Sequence, residues 1–369
     1  MIEYQGYQLG EPEGLETPAM LVFQAQVEHN LRAVCELAGG AEKLMVHVKT
    51  HKSADITRQQ LAAGVAGCKG ATLKEVEMVL AAGARQVVLA YPLMQPCKVE
   101  RFAGLVAAHP EARVCAMASA PAHVELLAQV AQARQQRLQV VLDLDIGMHR
   151  TGVALGEEAR ALYQQISGHP WLEAAGLHGY DGHEHITDPA AREAAARRHV
   201  EDLQVFKAGL ERDGMAVPSV IGGSSFTFPY YARTEGIYGS PGTCIYWDTR
   251  YGNALPDMPF RWAALVLAQV VDRHPGQRTI TTDLGVKAIS ADPPLERRAL
   301  LLGQPATLIG QTEEHGVFRL PEELPEVGTY LLAVPGHICT TTIRYPGSYV
   351  IDAAGEVVDY YPHTARDRR

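Results

Sequence analysis

Several features that would narrow the class of this chain at once are missing. There is no run of basic residues, and 33 Lys and Arg are outweighed by 42 Asp and Glu, for a formal net charge of −9. That balance argues against nucleic acid and anionic membrane surfaces as partners. No stretch of ~20 apolar residues is present to span a bilayer, so no membrane partner is expected. The opening Met1-Ile2-Glu3-Tyr4-Gln5 has neither a charged n-region nor an apolar h-region, so no signal peptide is expected. The six cysteines, Cys35, Cys68, Cys97, Cys115, Cys244 and Cys339, include no CxxC pair and no disulfide-like spacing. A reducing cytoplasm fits that usage, and all but Cys339 read as small buried apolar residues. No early GxGxxG marks a dinucleotide-binding turn, and no internal repeat is found.

What is present is 369 residues, 47% of them hydrophobic, enough for one large domain and a smaller one. From Ala19 short apolar runs alternate with longer amphipathic ones. Strands are expected at 19–23, 43–48, 66–68, 86–90, 113–118, 138–145, 174–180 and 217–221, with helices between them. Eight strand-then-helix units in roughly 230 residues are the size and rhythm of an α/β (β/α)8 barrel, and a doubly wound open sheet is the competing arrangement. After Trp247 the texture changes. The segment 250–260, with Gly252, Pro256 and Pro259, reads as a linker, and short β-rich runs follow at 263–271, 278–282, 306–309, 329–334 and 349–351. A β-rich second domain is expected there.

Five motifs carry chemistry. Lys49 closes the apolar run Leu44–Val48, so it sits at the C-terminal end of a strand, where α/β barrels hold their active sites. His47, His51 and Lys52 give it a cationic neighbourhood, and a desolvated neutral amine can form a Schiff base. A solvated lysine just past a strand is the ordinary alternative. Gly222-Gly223-Ser224-Ser225 and Gly239-Ser240-Pro241-Gly242-Thr243 follow the last barrel strand. Glycines admit an anion to the backbone and hydroxyls donate to it, and loops after strands 7 and 8 are the usual phosphate site of a barrel. Arg150, after the strand ending at Asp145, delivers a permanent cation for a phenolate or carboxylate, unless it only pairs with a strand Asp.

Gly179-Tyr180-Asp181-Gly182-His183-Glu184-His185 ends another strand. Tyr180 suits the edge of a flat ring, and His183 or His185 suits a general base. His183-x-His185 also has the spacing of a metal pair, though without a third ligand. In Pro335-Gly336-His337-Ile338-Cys339, residues i and i+2 of an extended segment face the same way, so an imidazole and a thiolate can converge on one ion. A thiolate favours Zn²⁺ over Mn²⁺ or Mg²⁺, and two protein ligands leave positions for water and substrate.

Taken in order, these stretches resemble the D-threonine aldolase and D-serine dehydratase family, pyridoxal-phosphate enzymes of the alanine racemase fold type. The match runs from Thr17–Val22 and His47–Lys52 through Asp145–Gly152, Gly179–His183, 222–225 and 239–243. It continues through 283–288 and Glu313–Gly316 to Pro335–Cys339. The resemblance implies a cofactor-binding barrel over residues 17–250 and a β-rich domain over 251–369 that also takes in 1–16. It implies that Lys49 is the Schiff-base lysine, that Arg150 binds the phenolic oxygen and that Tyr180 lies beside the ring. Gly222, Gly223, Ser224, Ser225, Gly239, Ser240, Gly242 and Thr243 would hold the phosphate of pyridoxal 5'-phosphate, and His337 with Cys339 a divalent metal. It further implies a homodimer with the active site near the subunit interface, and a small-molecule D-3-hydroxy amino acid as substrate.

The signals for the reaction conflict. In this family His-x-Asp with a hard ion goes with aldolases, and His-x-Cys with zinc goes with dehydratases, so Cys339 points to dehydration to a 2-oxo acid and ammonia. A histidine a few residues past Tyr180-x-Gly182 points to retro-aldol cleavage to glycine and an aldehyde, and the reading leans to cleavage. Ser224-Ser225 replaces the more usual Gly/Thr pairing. A non-catalytic pyridoxal-phosphate carrier would lack the extension after Trp247, and a racemase of this fold needs a second base and no dedicated metal.

Overall fold

The computed structural model describes residues 1–368 and divides into two compact units. One comprises Val34–Lys49 and Ala54–Gly242, and its eight main strands are all parallel. In chain order they are Met45–His47, Gly67–Gly70, Gln86–Leu89, Arg113–Ala118, Leu138–Asp145, Leu172–Gly179, Val220–Gly222 and Ile237–Gly239. A parallel bridge between Leu44 and Gly239 brings the last strand back to the first, and the strands form a closed barrel. Most of these strands are apolar throughout, because a parallel sheet under helices is buried on both faces. Met45, Val88, Cys115, Met117, Val141, Ala175 and Ile221, from six different strands, fill the barrel interior. The helices begin where the local chemistry permits. Pro96, Pro121 and Pro189 occupy first helical positions, and Thr72 and Asp188 cap their helices by accepting from Glu75 N and Ala191 N.

The other unit comprises Met1–Ala33, Thr50–Ser53 and Thr243–Arg366. Its mixed sheet is centred on the long strand Ala264–His274, flanked by Ala19–Phe23 and Tyr330–Pro335, both antiparallel to it. Gly347–Ile351 runs parallel to Ala19–Phe23 and antiparallel to Val357–Pro362. Leu9, Leu21, Phe23, Leu265, Leu267, Leu332, Val334 and Ile351 form its core.

Three expectations are corrected. The strand 19–23, counted as the first of the barrel, belongs to the mixed sheet, and Ile237–Gly239 completes the eight. A fully buried apolar run such as Ala-Met-Leu-Val-Phe fits the middle of either sheet, so periodicity alone could not assign it. The stretch 250–260 is not all linker. Asp248 accepts from Tyr251 N at 3.0 Å and starts a short helix, Thr249–Ala254. Nor is 335–339 extended, since the strand ends at Pro335 and the helix Ile338–Thr342 begins after His337.

Candidate active site

Within the barrel unit, Lys49 lies two residues past the first strand, half-buried at the strand's C-terminal end. The residues just beyond it, Thr50–Ser53, fold with the other unit, and His51 Nδ1 accepts from Ser53 N at 3.2 Å. Lys49 and Arg150 both bear on Lys69, a cation of the second strand, and Lys49 N donates to His47 Nδ1 at 3.3 Å. Arg150 follows a loop pinned by Asp145, whose Oδ1 accepts from Gly147 N and His149 N at 3.0 Å and whose Oδ2 is 2.8 Å from His149 Nδ1. Asp145 thus takes His149 as its partner, and the Arg150 guanidinium lies over the Tyr180 ring, 5.0 Å from its centroid. A Cβ at Gly182 would stand 2.1 Å from that ring, so only glycine lets the loop fold back under Tyr180.

One buried polar group here was not foreseen. Lys69, in the second strand, is 2% exposed, and its Nζ is 2.9 Å from His178 Nε2 in the sixth. His178 Nδ1 is 2.7 Å from Asp143 Oδ1 in the fifth strand, and Asp143 Oδ2 accepts from Thr151 Oγ1 at 2.8 Å. Burial, reinforced by Lys49 and Arg150 and opposed by Asp143 and Asp181, brings the Lys69 amine down to about 7. Burial also works against charge on Asp143, but the His178 and Thr151 bonds and the Lys69 charge outweigh it and keep its carboxyl low.

The two glycine-rich loops meet. Gly223 has φ +80°, and a Cβ on Gly222 would stand 2.4 Å from the Tyr231 ring. Ser224 N donates to Thr227 Oγ1 at 2.9 Å, and Gly242 N reaches Ser225 Oγ at 3.4 Å, linking the two loops. Ser240 commits its hydroxyl to the Met45 carbonyl at 2.8 Å, tying last strand to first. Thr243 folds with the other unit, its hydroxyl 3.8 Å from Cys339 Sγ. Of the two histidines, His185 is exposed with its ring edge-on to Phe226 at 5.6 Å, whereas His183 packs against His199 at 5.6 Å.

In the β-rich unit, Cys339 in the first turn of its helix still meets His337, through a hydrogen bond between the side chains. Cys339 Sγ also lies 3.2 Å from Thr50 Oγ1. His337 Nδ1 is 2.5 Å from Asp292 Oδ2, as in metal sites where a carboxylate orients a ligating imidazole. Burial works against charge on His337, but Cys339 and Asp292 hold it up at about 9. Asp248, buried and raised to about 6, accepts from Ile338 N at 3.0 Å and fixes the turn that carries both donors. A cavity of about 650 Å³ beside His337 is lined by Arg250, Asn253, Asp292 and Arg297 among others.

A lysine at the end of the first strand of a parallel barrel, with glycine- and serine-rich loops after the last two strands, offers an amine for an aldehyde and backbone and hydroxyl donors for an anion. Residues 22–250 match the family model of the alanine racemase N-terminal domain, and residues 263–351 that of a putative serine dehydratase domain. The chain belongs to that alanine racemase-like family, in its D-threonine aldolase and D-serine dehydratase branch, and is a pyridoxal-phosphate-dependent lyase. It is 29% identical to D-threonine aldolase of Arthrobacter sp. over 374 residues, covering 97% of this chain and 95% of that protein. It is 24% identical to D-threo-3-hydroxyaspartate dehydratase of Delftia sp. strain HT23, covering 93% and 96%. The solved D-threonine aldolase from Filomicrobium marinum superposes with a TM-score of 0.87 at 26% identity, covering 95% of this chain and 96% of that one. Among the described residues, no helix is long and apolar enough to cross a membrane.

The donor sets suit the groups this family uses. An amine, a guanidinium over a tyrosine ring, and serine hydroxyls with glycine N–H groups match the aldehyde, phenolic oxygen and phosphate of pyridoxal phosphate. His337 and Cys339, with Asp292 behind the imidazole, suit a divalent ion.

Proposed function

We propose that this enzyme cleaves D-3-hydroxy-α-amino acids by a retro-aldol reaction, giving glycine and an aldehyde. The observation that carries the reading is the exposed imidazole of His185, on the same loop as Tyr180 and separate from the His183–His199 pair. Lys49 binds the cofactor, Arg150 holds its phenolic oxygen, and Gly222, Gly223, Ser224, Ser225, Gly239 and Gly242 surround its phosphate. Pyridoxal phosphate, when bound, supplies the electron sink for bond cleavage at Cα. His337 and Cys339 would hold a divalent ion, Zn²⁺ favoured by the sulfur, which would supply Lewis-acid charge for the β-hydroxyl. His185 takes the proton from the β-hydroxyl, and the Cα–Cβ bond then breaks. A homodimer with the site near its interface accompanies this reading, as the family resemblance implies.

One observation favours a second reading. Cys339 places a sulfur beside His337, the pairing that goes with dehydration, in which Lys49 instead removes the α-proton and the β-hydroxyl departs. The test is a product assay on D-threonine and D-3-hydroxyaspartate with Zn²⁺ or Mn²⁺. Glycine with an aldehyde supports cleavage, and its loss in His185→Ala assigns the base. A 2-oxo acid with ammonia overturns the proposal in favour of dehydration.

A further inference from the structure

We infer that His183, Glu184 and His199 form a second divalent-cation site, separate in its donors from His337 and Cys339. His199, in the helix Pro189–Arg212, places Nε2 2.9 Å from Glu184 Oε1, and His183 Nε2 stands 3.5 Å from the same oxygen. The three ligand atoms all lie within 4.8 Å of one another, the one such cluster among the described residues. The His183 separation is long for a hydrogen bond, which prefers about 2.7–3.2 Å. It is close to the ~3.4 Å between neighbouring ligands of a tetrahedral ion with bonds of ~2.0–2.2 Å. The His183 and His199 rings meet edge to face at 73°.

His183 Nδ1 is buried without a hydrogen-bond partner, so Nε2, beside Glu184, makes this imidazole's polar contact. Gly147, at φ +120°, lets its backbone lie close to that nitrogen, where a Cβ would come within 2.6 Å. The side chains of His183, Glu184 and His199 are 30%, 16% and 15% exposed, so the donors are sheltered from bulk solvent. Two imidazoles and one carboxylate with an open place is a donor set for Zn²⁺ or Co²⁺, without the softness a thiolate adds. The ion clamps the loop carrying Tyr180 and His185 onto the long helix.

The test uses the holoenzyme with pyridoxal phosphate bound and reads metal, not turnover. Cys339→Ser removes the thiolate site, and Co²⁺ and Zn²⁺ are then titrated in with metal content measured after desalting. The expected result is one retained equivalent, with visible Co²⁺ bands but no thiolate charge-transfer band. Adding Glu184→Gln, which is isosteric, or His199→Asn should weaken that equivalent by about 100-fold. An unaltered cofactor spectrum in each variant reports that the barrel is folded. If Cys339→Ser binds no ion, or if neither added substitution weakens binding, the inference is overturned whatever reaction the enzyme performs.

Discussion

Replacing Lys69 by Met should flatten the pH dependence of stability on the alkaline side. The amine is fully enclosed, 2.9 Å from His178 Nε2, and titrates at about 7 in the fold against 10.5 when solvated. Between those values the unfolded chain holds a proton that the folded chain does not, so stability rises with pH, by at most about 1.4 kcal/mol per pH unit. The contribution is complete above about pH 10.5 and is lost as pH falls through about 7, where both states are charged and the burial cost is felt in full. From pH 7 to 9 the wild type should therefore gain roughly 2 kcal/mol relative to Lys69→Met. Methionine keeps the length of the side chain and removes the amine. The assay is urea unfolding of cofactor-free protein at fixed concentration across that range, with the two slopes subtracted. Parallel curves would refute the reasoning and show that Lys69 stays protonated, held by Asp143 through His178.

Cys339→Asp exchanges a soft donor for a hard one, and metal competition should show preference moving from Zn²⁺ toward Mn²⁺. Asp248→Ala removes the acceptor for Tyr251 N and Ile338 N, so thermal or urea unfolding should show a loss of about 1–2 kcal/mol, with weaker metal binding at His337. Ser225→Ala breaks the link from Gly242 N and removes a hydroxyl from the phosphate cradle, so equilibrium dialysis should show pyridoxal phosphate bound about tenfold more weakly while Lys49 chemistry persists.

Much of the barrel was legible because its strands are buried runs closed by capped helices, so Arg113–Ala118 and Leu138–Asp145 could be placed to the residue. The closing strand was not, since Ile237–Gly239 is three residues merging into a glycine-rich loop, while Ala19–Phe23 offered a better apolar run. Lys49, Arg150 and Tyr180 were visible as residues at strand ends. The Lys69–His178–Asp143 relay was invisible because it needs the register of His178 against Asp143 and the reach of Lys69 from a strand far away in the sheet order. The same limit applies to His199, which meets Glu184 only because the helix after the loop folds back.

The central claim is that Lys49 carries the cofactor. Borohydride reduction of the pyridoxal-phosphate-loaded enzyme, followed by peptide mass mapping, tests it directly, because Lys69 is a second amine with a lowered pKa in the same barrel. The account predicts the pyridoxyl group on the peptide containing Lys49 and none in Lys49→Ala. A label on Lys69, or no label on any lysine, would contradict it.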